Sequence, residues 1–268
     1  MIHTQNSIKS DTNKIFVGTS GYSYTDWKNV FYPTRLASQS FLDYYSLFFS
    51  AVELNFSFYQ WPTAHMFSRF LQSQTKIPKL SIKAFQGITH KQNSEIAMSA
   101  FLKAVKPLAD SDRVSTVLFQ FPYSFRPGKE AWNLLEQIAL QHWGAVGVIE
   151  FRHISWFQEK NLQRIAEMNL AVCALDMPNI QGLPGGQMPV THPIGYMRFH
   201  GRNAEKWWNH NEAWERYNYF YSSKILNALL PDLRSWIDKH QKVFLFFNNH
   251  YRGQAVQNAQ TLMAFLAD

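Results

Sequence analysis

The chain has 268 residues, 46% of them hydrophobic and 17% charged, with 26 Lys and Arg against 19 Asp and Glu for a formal charge of +7. This composition excludes a disordered chain, and the lack of any apolar run near 18 residues excludes a membrane-spanning helix. The single cysteine, Cys173, excludes an internal disulfide and suits a reducing compartment; with the polar, leader-free segment Met1–Lys14 this predicts a cytoplasmic protein.

Residues 1–14 read as a polar tail and residues 15–268 as one domain, close to the roughly 250 residues of a (β/α)8 barrel. Eight short runs rich in Val, Ile, Leu and Phe read as strands: Ile15–Gly18, Ala51–Asn55, Leu80–Ala84, Ser115–Phe121, Ala145–Phe151, Leu170–Asp176, Gly195–His200 and Val243–Asn248. Near-continuous apolar strands are those of a parallel sheet covered on both faces. Helix starts are marked between them by Ser40 before Phe41, Thr63 before Ala64, Ser94 before Glu95, and Pro127-Gly128 before Lys129. The crossover from Met177 to Ile194 departs from this alternation, because its four prolines and three glycines forbid a good helix. A connection that long is commonly functional, often a lid. Beyond the seventh run, Gly201–Asn211 is polar and carries Trp207 and Trp208. The segment from Trp214 through Tyr221 reads as opening a helix that ends near Asp238, and a last helix runs from near Gly253 through Leu266. The predicted fold is α/β: a single TIM-type barrel with an irregular crossover between its sixth and seventh strands.

Almost every apolar run closes on polar residues. In a strand, residues two apart share a face, so Glu53 with Asn55, Glu150 with Arg152, and Arg198 with His200 each point the same way. In a (β/α)8 barrel the C-terminal strand ends form the site. Lys83, Arg152 and Arg198, with Arg202 just beyond, then converge as cations on few carboxylates. A ligand anion completes such a set, and Arg suits bidentate phosphate or carboxylate recognition. Asn55, Gln120, Asn248 and Asn249 offer neutral hydrogen bonds to the same ligand, and Tyr22 stands on an aromatic rim with Tyr24, Trp27, Tyr59, Trp61, Trp156, Trp207 and Trp208. Glu150, Glu53 and Asp176 are the candidate acids or bases, and His200 the candidate proton shuttle, since imidazole titrates near neutrality. A structural ion pair between Glu150 and Arg152 is the competing reading. If Glu150 is instead a strained functional charge, Glu150→Gln should leave stability unchanged or raise it.

Glu53, Glu150, Asp176 and His200 are legal metal ligands, but Arg152 and Arg198 share faces with two of them and no HExxH spacing occurs, so no metal is expected. Neither a dinucleotide fingerprint, a P-loop nor a G-x-S-x-G elbow is present, so no cofactor is expected either.

The stretches GTSGYSYTDWKNVFYP (Gly18–Pro33), ELNFSFYQWP (Glu53–Pro62), IKAFQGITH (Ile82–His90), LFQFPYSF (Leu118–Phe125), IEFRHISW (Ile149–Trp156), MRFHGRN (Met197–Asn203) and FFNNHYRGQAVQNAQTL (Phe246–Leu262) resemble, in order and nearly end to end, the YecE-like family, domain of unknown function 72. Tyr22 stands where that pattern usually has Trp, and Ser57 where it has Thr. The resemblance implies a (β/α)8-type barrel and no particular reaction. Two functions then fit the residues: an enzyme acting on a small anionic substrate, sugar- and nucleotide-containing ones included, by acid–base chemistry, and a nucleic-acid-binding or processing protein that uses its positive charge and aromatic rim. Positive potential confined to the mouth favours the first, and a broad basic stripe outside it the second.

Overall fold

Short strands alternating with amphipathic helices leave one economical arrangement, a parallel sheet wrapped by helices, and this is what the chain forms. The computed structural model describes residues 14–72, 78–90, 94–111 and 113–268, so the predicted tail lies outside the described residues apart from Lys14. The strands are β1 (Ile15–Ser20), β2 (Ala51–Leu54), β3 (Lys79–Lys83), β4 (Val114–Gln120), β5 (Val146–Glu150), β6 (Ala171–Val172), β7 (Ala174–Asp176), β8 (Ile194–Phe199) and β9 (Lys242–Phe247). The helices are α1 (Phe41–Tyr45), α2 (Phe56–Tyr59), α3 (Ala64–Gln72), α4 (Gln86–Thr89), α5 (Ser94–Ala109), α6 (Lys129–Ala139), α7 (Glu159–Glu167), α8 (Glu205–Trp208), α9 (Ser223–Asp238) and α10 (Gln254–Ala267). In α6, for example, Ala131, Leu135 and Ile138 recur at helical spacing and are the buried positions, which seats this helix on the sheet.

All pairings are parallel, in the order β6-β5-β4-β3-β2-β1-β9-β8-β7, a nearly closed TIM-type barrel. The run predicted as one strand, Leu170–Asp176, is split at Cys173. Its first half pairs with β5 and its second with β8, so the two ends of the sheet meet in one stretch of chain. The switch leaves backbone donors without a ladder partner. The long Met177–Ile194 crossover supplies them: Val172 N donates to Thr191 Oγ1 (2.8 Å) and Leu175 N to Gln187 O (3.0 Å). This segment is therefore built into the barrel wall.

Inside the barrel, strand parity sorts residues by height. Phe16 and Phe244 stack at 5.0 Å, and Ala51, Leu118, Val148, Tyr196 and Phe246 belong to the same interior cluster. One step further along the strands the interior positions turn polar: Ser20, Glu53, Lys83, Glu150 and Arg198, all buried. Backbone hydrogen bonds run on past the strand ends, Gly21 N to Glu53 O and Phe121 N to Glu150 O among them (2.8 and 2.9 Å), which fixes the polar layer in register. Gly18 permits one close approach. A Cβ there would sit 2.0 Å from Ala51 O and 2.9 Å from the Tyr45 hydroxyl, which bridges β1 to β2 by accepting from Thr19 N and donating to Ala51 O.

The segment after β8 differs from the sequence expectation. Trp214–Tyr221 does not open the long helix: only Glu215–Tyr217 forms a 3-10 turn, and α9 begins at Ser223 with the Ser222 side chain accepting from Ile225 N. Gly201, at φ +84, turns the chain, with Tyr219 packed where its Cβ would be, and Gly201 N donates to the Tyr221 hydroxyl at 2.9 Å.

Candidate functional site

The polar layer begins with a closed floor. Arg198 Nη1 donates to Glu150 Oε2 at 2.6 Å, and Nη2 to Glu53 Oε1 at 2.7 Å and to Ser20 Oγ at 3.2 Å. Glu53 Oε2 accepts from the Tyr196 hydroxyl at 2.6 Å, and that hydroxyl lies 2.8 Å from Ser81 Oγ. Every one of these side chains is fully or almost fully buried.

Glu150 carries the floor up to the mouth. Its second oxygen, Oε1, lies 2.5 Å from Arg152 Nε and 3.3 Å from His200 Nε2. Burial alone would raise its pKa, but Arg152, Arg198 and His200 together hold it well below the usual carboxylate range. His200 is pushed down to about 3 by burial and then by Arg152, so the imidazole is neutral at physiological pH. Its Nδ1 lies 3.0 Å from Asn248 Nδ2 and accepts from it, which puts the neutral ring's proton on Nε2, on the Glu150 side at 3.3 Å from Oε1 but without closing a hydrogen bond.

Above the floor the field is positive. Lys83 falls to about 7 through burial and then Arg198, and His90 to about 4 through burial, Lys83 and Arg152. Tyr217 is the clearest reporter. Burial raises a phenol's pKa, as it does for Tyr22, Tyr24 and Tyr32, yet Arg152, Arg216 and Arg198 reverse the effect and bring Tyr217 below its ordinary value. The guanidiniums of Arg152 and Arg216 lie 5.9 and 5.4 Å from the Trp207 ring. A cavity of about 230 Å³ opens among His90, Gln120, Arg152, Trp207, Arg216 and Tyr217.

Of the residues singled out in the sequence, Glu53, Lys83, Glu150, Arg152, Arg198, His200 and Asn248 share this cluster, and Gln120 lines the cavity with its Nε2 donating to Phe121 O. Asn55 follows β2 on the inward parity of Glu53, and its Oδ1 is buried without a hydrogen-bond partner. The others are engaged elsewhere. Asp176 alternates with the interior residues Leu175 and Met177, so it faces the helix layer, where Arg202 Nε reaches it at 2.9 Å, Arg202 Nη2 at 2.5 Å and the Tyr221 hydroxyl at 2.6 Å. Asn249, on the parity opposite Asn248, donates to Tyr219 O and Asn258 Oδ1 and ties α10 to the β8–α9 connection. Tyr22 packs against Tyr45 and accepts through its carbonyl from the Tyr32 hydroxyl. Arg216 and Tyr217 were not apparent from the sequence. They lie on an irregular turn where neither strand nor helix parity applies, and a cation next to an aromatic in a Trp-rich connection was the only available signal. One expectation reverses: with two buried guanidiniums depending on Glu150, its replacement by Gln is expected to destabilise the fold.

Among the described residues no three His, Cys, Asp or Glu side chains group to hold a metal ion. Both floor carboxylates are already engaged by Arg198, which cannot shed its proton. Chelation should therefore leave the melting temperature unchanged; a fall on adding chelator, restored by one equivalent of metal, would show that Glu53 and Glu150 serve as ligands. Nor, among the described residues, is any helix long and apolar enough to cross a membrane.

A model of the family described as "Protein of unknown function DUF72" matches residues 16–268. The UPF0759 protein YunF of Bacillus subtilis is 29% identical over 269 residues, covering 94% of each chain. Among solved structures, a DUF72 family protein of Thermotoga maritima superimposes with a TM-score of 0.85 at 32% identity, over 95% of this chain and 100% of that one. One from Enterococcus faecalis superimposes with a TM-score of 0.81 at 26% identity, over 95% and 96%.

Proposed function

As a member of the DUF72 family of proteins of unknown function, the chain inherits no reaction from its relatives, and we propose from its own geometry that it binds a small anionic metabolite, phosphorylated or carboxylated, at the barrel mouth and acts on it by acid–base chemistry. The observation that carries this is a charge excess at a cavity. Arg152 and Arg198 are matched by Glu53 and Glu150, and among the described residues this leaves Arg216 at the rim, and Lys83 in its protonated form, without a carboxylate partner. Burying unmatched charge is costly, and an anion seated against Arg152 and Arg216 offsets that cost. The cavity of about 230 Å³ suits a metabolite better than a nucleic-acid strand, which needs an extended groove.

Within this reading the residues divide by depth. Arg198 belongs to the floor and orients Glu150. Glu150, ionised and flanked by cations, holds Arg152 in place, and neutral His200 steadies the second Glu150 oxygen. Arg152 and Arg216 grip the anion. Lys83 and Tyr217 are the mouth groups whose pKa values move toward neutrality, which is where proton transfer is most effective.

Inorganic phosphate and sulfate test this directly. Each should raise the melting temperature of the wild-type protein, following mass action, with about 2.7 kcal/mol of stabilisation at a hundredfold excess over Kd. Arg152→Ala, compared with and without the anion, should lose most of that increment, and Arg216→Ala part of it. If both variants keep the full anion-induced shift, the anion binds elsewhere and the proposal fails.

A further inference from the structure

We infer that Lys83 is the nucleophilic amine of this site, and that its ligand is a carbonyl compound, an aldehyde or ketone that also carries the anionic group, held through an imine to Lys83 Nζ. The anionic half of this description rests on the function proposed above; the amine half stands on the surroundings of Lys83.

Among the described residues Lys83 is the one buried lysine. It ends β3, and its backbone is fixed by Ser57 Oγ donating to Lys83 O at 2.7 Å. Its Nζ sits 3.8 Å from the centre of the Phe58 ring, and among the described residues no carboxylate oxygen comes within 4.0 Å of it. Lysines 14, 106 and 206, by contrast, each reach a carboxylate. A lysine serving only as a counterion would be expected to reach Glu53 or Glu150, but those oxygens are taken up by Arg198, Arg152 and the Tyr196 hydroxyl. The groups that act on Lys83 are the cations Arg198 and Arg152, the carboxylates Glu150 and Glu53, and His90, which follows α4. Neither arginine can lose its proton, so Lys83 is the cation that gives way, and near neutral pH a share of it is the unprotonated amine with a free lone pair. The residue keeps 7% of its surface accessible, and His90 and Arg152, the charged neighbours it is coupled to, line the cavity, which is the route by which a small molecule would reach Nζ. A lysine desolvated beside another cation has the arrangement that activates amines for imine formation.

The step balances without an oxidant or reductant. The Nζ lone pair forms a bond to the carbonyl carbon, the carbonyl π pair moves to oxygen, and a proton passes from nitrogen to that oxygen. The nitrogen lone pair of the carbinolamine then closes the C=N bond as the C–O bond breaks, giving iminium and hydroxide, and the hydroxide takes the remaining proton from nitrogen to leave as water. The sum is amine plus carbonyl giving imine plus water, and the iminium form is an electron sink for bonds adjacent to the former carbonyl carbon.

Pyridoxal 5′-phosphate, which carries an aldehyde and a phosphate, is the first probe, and glyoxylate, with an aldehyde and a carboxylate, is a smaller second one. The full-length protein is incubated with each, reduced with borohydride, which delivers hydride to the imine carbon, digested, and mapped by mass spectrometry. Lys83 should be modified faster than any other lysine, with a rate that rises with pH and levels off above about 7. Inorganic phosphate should slow labelling at Lys83 and leave the other lysines unaffected. Lys83→Arg, which removes the nucleophilic amine, should abolish the fast adduct. If neither probe labels Lys83 faster than exposed lysines, the imine inference is overturned, and an Arg152-dependent phosphate shift in the same protein would leave the anion reading standing. Rapid labelling of Lys83 without phosphate protection or stabilisation supports the amine and defeats the anion reading.

Discussion

Glu150→Ala is expected to cost about 3–5 kcal/mol of folding stability, enough to remove a large share of a typical domain's margin. The side chain is fully buried, one oxygen accepts from Arg198 at 2.6 Å and the other lies 2.5 Å from Arg152, so truncation strands two guanidiniums that cannot neutralise themselves. Glu150→Gln keeps the shape but removes the charge, and should lie between wild type and Ala. Midpoints of urea unfolding, read with an unchanged slope, measure both. Combining Glu150→Ala with Arg198→Met should recover part of the loss, since the second change removes one stranded charge; purely additive losses would mean that the two residues are not energetically coupled. The pH dependence follows the same logic. The folded-state pKa of Glu150 is depressed, so its contribution is present above the ordinary carboxylate pKa of about 4.3 and is lost as pH falls through the folded value. His200 adds to this. Between its ordinary 6.5 and about 3 the unfolded chain binds a proton that the folded site refuses, so stability declines on acidification across that window. A variant with Gln at position 150 should show a shallower decline below about pH 4, and an unchanged slope would place the acid sensitivity elsewhere.

Much of this cluster was legible because strand periodicity is rigid. Glu150 with Arg152 and Arg198 with His200 were predicted to share faces from spacing alone, and all four meet around one carboxylate. The same rule, applied to Asp176 and Asn249, would have excluded them. Each alternates with an inward-facing neighbour, Leu175 or Asn248, and each is used to anchor connections in the outer layer. The split at Cys173 had no comparable signal, because Leu170–Asp176 is apolar on both faces whether its hydrogen bonds go to one neighbour or two. What permits the switch is Gln187 and Thr191, supplied by a crossover whose prolines and glycines announce only that it is not helical. Arg216 and Tyr217 reach the cavity from a 3-10 turn, where position depends on how Trp207 and His210 receive the Arg216 guanidinium and not on any repeat in the sequence.

Lys83→Met should make the protein more stable, by about 1–3 kcal/mol near neutral pH. Met keeps an unbranched chain of similar reach against the Phe58 ring and removes an amine that the site desolvates beside Arg198 and Arg152. The sign depends on pH in a way that separates this explanation from simple repacking. The folded-state pKa of Lys83 is lowered from 10.5 to about 7, so between those values the unfolded chain binds a proton that the folded chain does not. Wild-type stability therefore falls as pH drops from about 10.5 to about 7, and below about 7, where both states are protonated, the penalty is constant. The advantage of Met should be largest at and below neutrality and should shrink steadily toward pH 10, where amine and thioether are both uncharged. Denaturation midpoints of the two proteins, measured in parallel between about pH 6 and pH 10, give that difference directly. A gain independent of pH would mean that Met merely packs better. A loss at every pH would mean that the ammonium of Lys83 neutralises Glu53 and Glu150 across the floor, and the excess of positive charge that draws an anion into the mouth would then have to come from Arg152 and Arg216 alone.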